Sequence, residues 1–233
     1  MIYKNIETAA FFCIALACAA LSACAPQATL TLKPEGSARI DFQMTISPNA
    51  EKTLERFTGT GGDRGIFDVQ AIQTSLALAG FKSASAEIAQ NASLSLSIPA
   101  EKGQQYPGDA ILVDHDKKTA SLSLSRDNLS AVFAVFPPET LDFLELLMAP
   151  AFTGEELDRK EYVDIIASAY GKTVAGDLEN SALSFTIRAP SPMTVTGSSP
   201  GLQYKKLNSA IVCTIPLVDL LVLSEPITLD IRW

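Results

Sequence analysis

The chain has 233 residues, with 26 Asp and Glu against 18 Lys and Arg, and so a formal net charge of −8. That balance argues against nucleic acid and against direct attraction to anionic membrane surfaces, both of which favour basic patches. Its single histidine, His115, excludes a zinc site built on several imidazoles, while 47% hydrophobic residues give ample material for a core.

Residues 1–23 open with Met-Ile-Tyr-Lys-Asn, carry one cation at Lys4 and run without charge from Thr8 through Leu21. This is the layout of a secretory signal peptide whose apolar stretch is too short to span a bilayer comfortably. The order Leu21, Ser22, Ala23, Cys24 resembles the lipobox of bacterial lipoproteins, an aliphatic residue and two small residues before a cysteine. The resemblance implies that lipoprotein signal peptidase reads Leu21, Ser22 and Ala23 and cleaves before Cys24. The Cys24 thiol, nucleophilic as its thiolate, then takes a diacylglycerol, and its freed amino group is a point for a further acyl chain such as palmitate. Each buried methylene contributes about 0.8 kcal/mol, so two or three chains anchor a protein stably.

On this reading residues 24–27 are a lipidated tether and 28–233 a single folded domain. The expected location is the cell envelope, lipid-anchored to a membrane through Cys24. Ala25 stands where some Gram-negative sorting rules would place an aspartate for retention, which points to the outer membrane. The signal takes Lys4 and Glu7 with it, so the charge stays at −8. Cys13 and Cys18 leave too, and Cys213 is then the one free thiol, with no intrachain disulfide expected. Cys213 lies in Ile211-Val212-Cys213-Thr214-Ile215, where a lone cysteine acts as a small buried hydrophobe.

Along the domain, strict alternation of apolar and polar residues marks strands. Ile40, Phe42, Met44 and Ile46 share one face, as do Leu94, Leu96 and Ile98 opposite serines. Leu122 and Leu124, Leu183, Phe185 and Ile187, and Ile227, Leu229 and Ile231 repeat the pattern. Turns are expected at Pro34-Glu35-Gly36, at Gln90-Asn91 and at Asp114 to Lys118, joining hairpins. Asp68 is positioned to cap a helix through Ala79, with Gly80 as its stop. A helical block at about 127–171 follows. Leu129, Val132, Phe133 and Phe136 keep helical spacing until Pro137-Pro138, the helix resumes over 139–148, and another runs from about Gly154 to Tyr170, with Gly171 as its stop. Ser191 to Gly201 is rich in Pro, Gly and Ser and reads as loop. The order predicts an α+β fold, an antiparallel β-sheet built from hairpins with helices packed on one face.

Motifs for catalysis, metal or cofactor are weak, and no catalytic residue, metal ligand or cofactor is assigned. His115 sits between Asp114 and Asp116 in a turn, a solvated setting unlike that of a catalytic base. Gly171-Lys172-Thr173 lacks the upstream glycine of a phosphate-binding loop, with Ile166 in its place. Glu155, Glu156, Asp158 and Glu161 follow helical spacing and not that of a calcium loop. The stretch from Leu129 to Phe152 carries Phe133, Phe136, Phe143, Met148 and Phe152 and no cation. It is a candidate surface for an apolar ligand or an envelope partner, weighed against service as the cover of the sheet.

The last fifty residues carry a strand entering a proline turn, Ile187-Arg188-Ala189-Pro190, and a terminal strand from Ile227 to Trp233. This resembles LppM-type and related bacterial lipoproteins and implies a membrane-tethered, β-rich domain without a catalytic motif. The expected function is a non-enzymatic binding or interaction module of the envelope. An envelope hydrolase using scattered Ser, Asp and Glu is the alternative.

Overall fold

The protein is described here from a computed structural model, which places residues 26–45, 68–89, 93–134, 145 and 148–233. The signal and lipobox, Ile46, the Gln90-Asn91 turn, most of the helix expected over 139–148, and Phe136 and Phe143 lie outside the described residues.

The first strand, β1 (Gln27–Leu32), buries Ala28, Leu30 and Leu32 and turns Thr29 and Thr31 outward. The Pro34-Glu35-Gly36 turn returns the chain as β2 (Ala38–Thr45), with the Gly36 N–H donating to the Lys33 carbonyl at 3.1 Å. Helix α1 (Val69–Leu78) starts as the sequence predicts, the Asp68 carboxylate accepting from the Ala71 N–H at 2.9 Å. Its Ile72 and Leu76, one turn apart, are buried. Gly80, at φ +96°, lies just beyond its C-terminal end.

Two more hairpins follow, β3 (Ser85–Ala89) with β4 (Ser93–Ala100), and β5 (Ile111–Asp114) with β6 (Thr119–Leu124). Between them the turn Pro107–Asp109 presses against α2 (Arg126–Phe133). Gly108 permits this contact, because a Cβ there would stand 2.8 Å from the Asn128 carbonyl oxygen and its φ of +64° disfavours a side chain.

The helical block is cut into shorter pieces than predicted: α3 (Ala149–Thr153), α4 (Arg159–Tyr170) and α5 (Lys172–Glu179). Asp158 and Glu161 cap α4 reciprocally, each carboxylate accepting the other residue's backbone N–H, at 2.8 and 2.9 Å. Residues 155–158 are therefore not helical. Gly171 was expected to end the block; it ends α4, but the chain turns there and α5 continues to Glu179. The chain finishes with β7 (Ala182–Arg188), β8 (Thr194–Ser198), β9 (Gln203–Lys206), β10 (Ala210–Pro216), α6 (Leu217–Val222) and β11 (Ile227–Arg232).

The fold is α+β, as the sequence predicts, but its strands form two sheets. A seven-stranded sheet runs β3-β4-β2-β1-β7-β10-β9, antiparallel except where β1 pairs in parallel with β7. A four-stranded antiparallel sheet runs β5-β6-β11-β8. A parallel pair needs a long crossover, and here most of the domain separates β1 from β7. The segment expected as a loop at 191–201 contains β8, which forms because it can pair with β11.

On the large sheet, the rung through Gln27 pairs it with Gln43 and Ser184, and extends outward to Ser95 and Glu87 on one side and Thr214 and Gln203 on the other. These residues share the polar face. The opposite face, with Leu30, Leu96, Phe185, Ile187 and Ile211, joins Ile72 and Leu76 of α1 and Leu229 and Ile231 of the small sheet in one core. A second core is built mainly by the helices, from Leu129, Met148, Tyr162, Ile166, Val218 and Leu221 among others. Arg126 fastens it, donating to the carbonyls of Leu223 at 3.0 Å, Glu155 at 3.1 Å and Val222 at 3.4 Å. Two of these are carbonyls at the end of α6, where a guanidinium satisfies acceptors left open by the helix.

Candidate functional site

Of the apolar residues singled out from sequence, the described ones, Phe133, Met148 and Phe152, fall in or against the second core, while Phe136 and Phe143 lie outside the described residues. Met148 is fully buried, while Phe133 and Phe152 are partly buried against that core, with ring centroids 6.2 Å apart and planes tilted by 34°. Helical spacing brings Phe133 to the end of α2, and the short α3 carries Phe152 back to it.

A groove of about 470 Å³ opens beside this layer, between the C-terminal end of α1 and α2. Leu78, Phe81, Tyr106, Pro107, Ala131 and Ala134 give it apolar walls, and Ser75 and Gln105 add polar atoms. Leu78, at its edge, is 84% exposed. Phe81 and Tyr106 stack with centroids 5.8 Å apart. The aromatic stack faces the groove on one side and the first core on the other, since both residues are buried members of that core. The Tyr106 hydroxyl is sealed from solvent and has no hydrogen-bond partner among the described residues. Sequence reading missed this groove. Tyr106-Pro107-Gly108-Asp109 was a legible turn signal, but what the turn packs against is set by tertiary structure.

The groups whose proton affinity is most altered are buried ones. Burial pushes the phenols of Tyr106 and Tyr162 well above the ordinary tyrosine value, and pushes the Cys213 thiol up to about 11. Each shift disfavours the ionised form, the reverse of the activation a nucleophile needs. Cys213 is fully buried in β10, opposite Phe185 and Tyr204.

His115 lies in the β5–β6 turn, edge-on to Trp233 at 5.7 Å, and the Trp233 backbone N–H donates to the Lys118 carbonyl at 3.0 Å. The neighbouring Asp114 is engaged by Lys117, whose backbone N–H and ammonium both reach it at 2.9 Å. Those hydrogen bonds hold the Asp114 carboxyl below its usual range. The turn's charges therefore serve its own geometry. In the acidic run at 155–161, Asp158 and Glu161 are committed to the α4 cap, and no metal-holding group of three His, Cys, Asp or Glu occurs among the described residues.

Leu21, Ser22, Ala23 and Cys24 precede the described residues, but the point where the chain enters the fold is fixed. The Pro26 carbonyl accepts from the Ser184 N–H at 2.9 Å, and β1 begins with the next residue. No helix among the described residues is long and apolar enough to cross a membrane. No protein-family model, curated protein or solved structure matches the chain.

Proposed function

We propose that the protein is a lipid-anchored component of the bacterial cell envelope, held through Cys24, whose folded domain binds an apolar ligand or partner and catalyses no reaction. The observation that carries the anchor is the Leu21-Ser22-Ala23-Cys24 motif at the exit of an apolar run. The binding role is supported by the apolar groove and the exposed Leu78 at its edge.

Intact mass and membrane partition of the wild type and of Cys24→Ala test the anchor. The wild type should begin at an acylated Cys24 and stay with membranes, and the variant should carry no lipid. Identical unlipidated, soluble products would refute it. A fluorescent fatty acid tests the groove: saturable binding that Leu78→Asp weakens at least several-fold supports an apolar ligand site, and no binding by either protein rejects it.

A further inference from the structure

We infer that the end of the seven-stranded sheet at Gln27 faces the lipid bilayer and rests close against it. This rests on the lipid-anchor reading above. Only Ala25 separates Cys24 from Pro26, whose carbonyl is already bonded into the sheet. Two Cα steps of 3.8 Å each limit Cys24 to within about 8 Å of Pro26. No flexible linker intervenes, and β1 is the central strand of the sheet, with three neighbours on either side. A lipid on Cys24 therefore pins the middle of this end of the sheet, and the domain has little freedom to present another face.

The charge distribution along the strands fits that placement. Across the rung at Gln27 the residues are Gln, Ser, Thr and a single ion, Glu87, and the positions two residues farther out on the same face are Thr45, Ser93, Ala182 and Pro216. The opposite end of the same sheet and its turns carry Lys33, Glu35, Arg39, Lys102, Arg188 and Lys206. Beyond the sheet, Glu179 ends α5 shortly before β7 and Asp219 lies in α6 just after β10; Arg159 serves both, donating to the Glu179 carbonyl at 3.2 Å and pairing with the Asp219 carboxylate at 3.6 Å. Ions held against a headgroup layer lose hydration or meet like charge, which an acidic protein avoids by turning an end of uncharged hydroxyl and amide side chains to the surface. Among the described residues, the anchor point coincides with the end of the sheet whose strands carry the fewest ions.

The test uses the full-length protein processed and acylated in a bacterial host, in phosphatidylcholine vesicles carrying a nitroxide quencher on the headgroup. A fluorophore is attached at Gln43→Cys, beside Gln27, or at Glu35→Cys, at the far turn; the native Cys213 is buried and stays unlabelled. Both sites are exposed, and circular dichroism confirms folding of each variant. The fluorophore at position 43 should be quenched several-fold more than that at 35. Vesicle flotation with equal quenching, or with stronger quenching at 35, overturns the orientation while leaving the anchor intact. Failure to float, with an unlipidated mass, overturns both.

Discussion

Asp230 occupies the space that a side chain on Gly197 would need: a Cβ at Gly197 would stand 2.8 Å from the Asp230 Oδ2. The other carboxylate oxygen of Asp230 accepts from the Ser121 hydroxyl at 2.6 Å, so one side chain links β6, β11 and β8. The register between β8 and β11 shifts at this same residue. Gly197→Ala should therefore displace the carboxylate and cost about 1 kcal/mol, comparable with one hydrogen bond. In the background of Asp230→Ala the same substitution should cost less, giving a coupling of about 0.5 kcal/mol or more in a double-mutant cycle. Urea denaturation of the four proteins measures it; strict additivity would show that the two residues do not compete for space.

The buried hydroxyl of Tyr106 has no partner among the described residues to repay its lost hydration. Tyr106→Phe removes it and keeps the ring stacked on Phe81. The variant should be more stable by about 1 kcal/mol. A loss of stability on chemical denaturation would mean that the hydroxyl is satisfied in solution, by a bound water for instance.

Alkali should act through the same buried phenols. Tyr106 and Tyr162 have folded values raised above the ordinary 10.0, so the folded state holds their protons more tightly than the unfolded chain. Their contribution to stability is complete below about pH 10 and is lost progressively as the pH climbs above it. Stability should therefore fall steeply in that range, and the Tyr106→Phe variant should fall less. Tyrosinate absorbance from these two residues should rise together with loss of the far-ultraviolet dichroism, and absorbance rising well before unfolding would contradict the burial of both.

Arg126 reaches three backbone carbonyls, two of them at the end of α6. Lysine keeps the charge but lacks the planar fork that spans several acceptors. Arg126→Lys should cost about 1 to 2 kcal/mol, and Arg126→Met more, because hydrogen bonds to charged donors are the stronger ones. Thermal unfolding of the two variants gives the order. Equal stability of all three proteins would show that water replaces the guanidinium at no cost.

The described parts of the candidate site were legible in unequal measure. Phe133, Met148 and Phe152 stood out because an uncharged apolar run is a local property of the sequence. The groove was not legible, because Leu78 and Ala79 close α1 while Ala131 lies in α2 and Ala134 caps it, and no periodicity relates residues on separate elements. Exposure of Leu78 and burial of the Tyr106 hydroxyl are likewise outcomes of packing.

By itself the sequence determined what depends on near neighbours. The alternation in β2, β4, β6, β7 and β11 and the Asp68 cap follow from contacts within a few residues, where backbone geometry alone fixes who meets whom. Tertiary structure decided what depends on distant partners: two sheets instead of one, the parallel alignment of β1 with β7, and a strand at Thr194–Ser198 within a segment rich in turn formers. It also carried Gly176 inside α5, where burial of Ala175 in the helical core offsets a poor helix former. Pairing and burial of this kind draw their free energy from residues far apart in the chain, and a local pattern holds no record of which of them will meet.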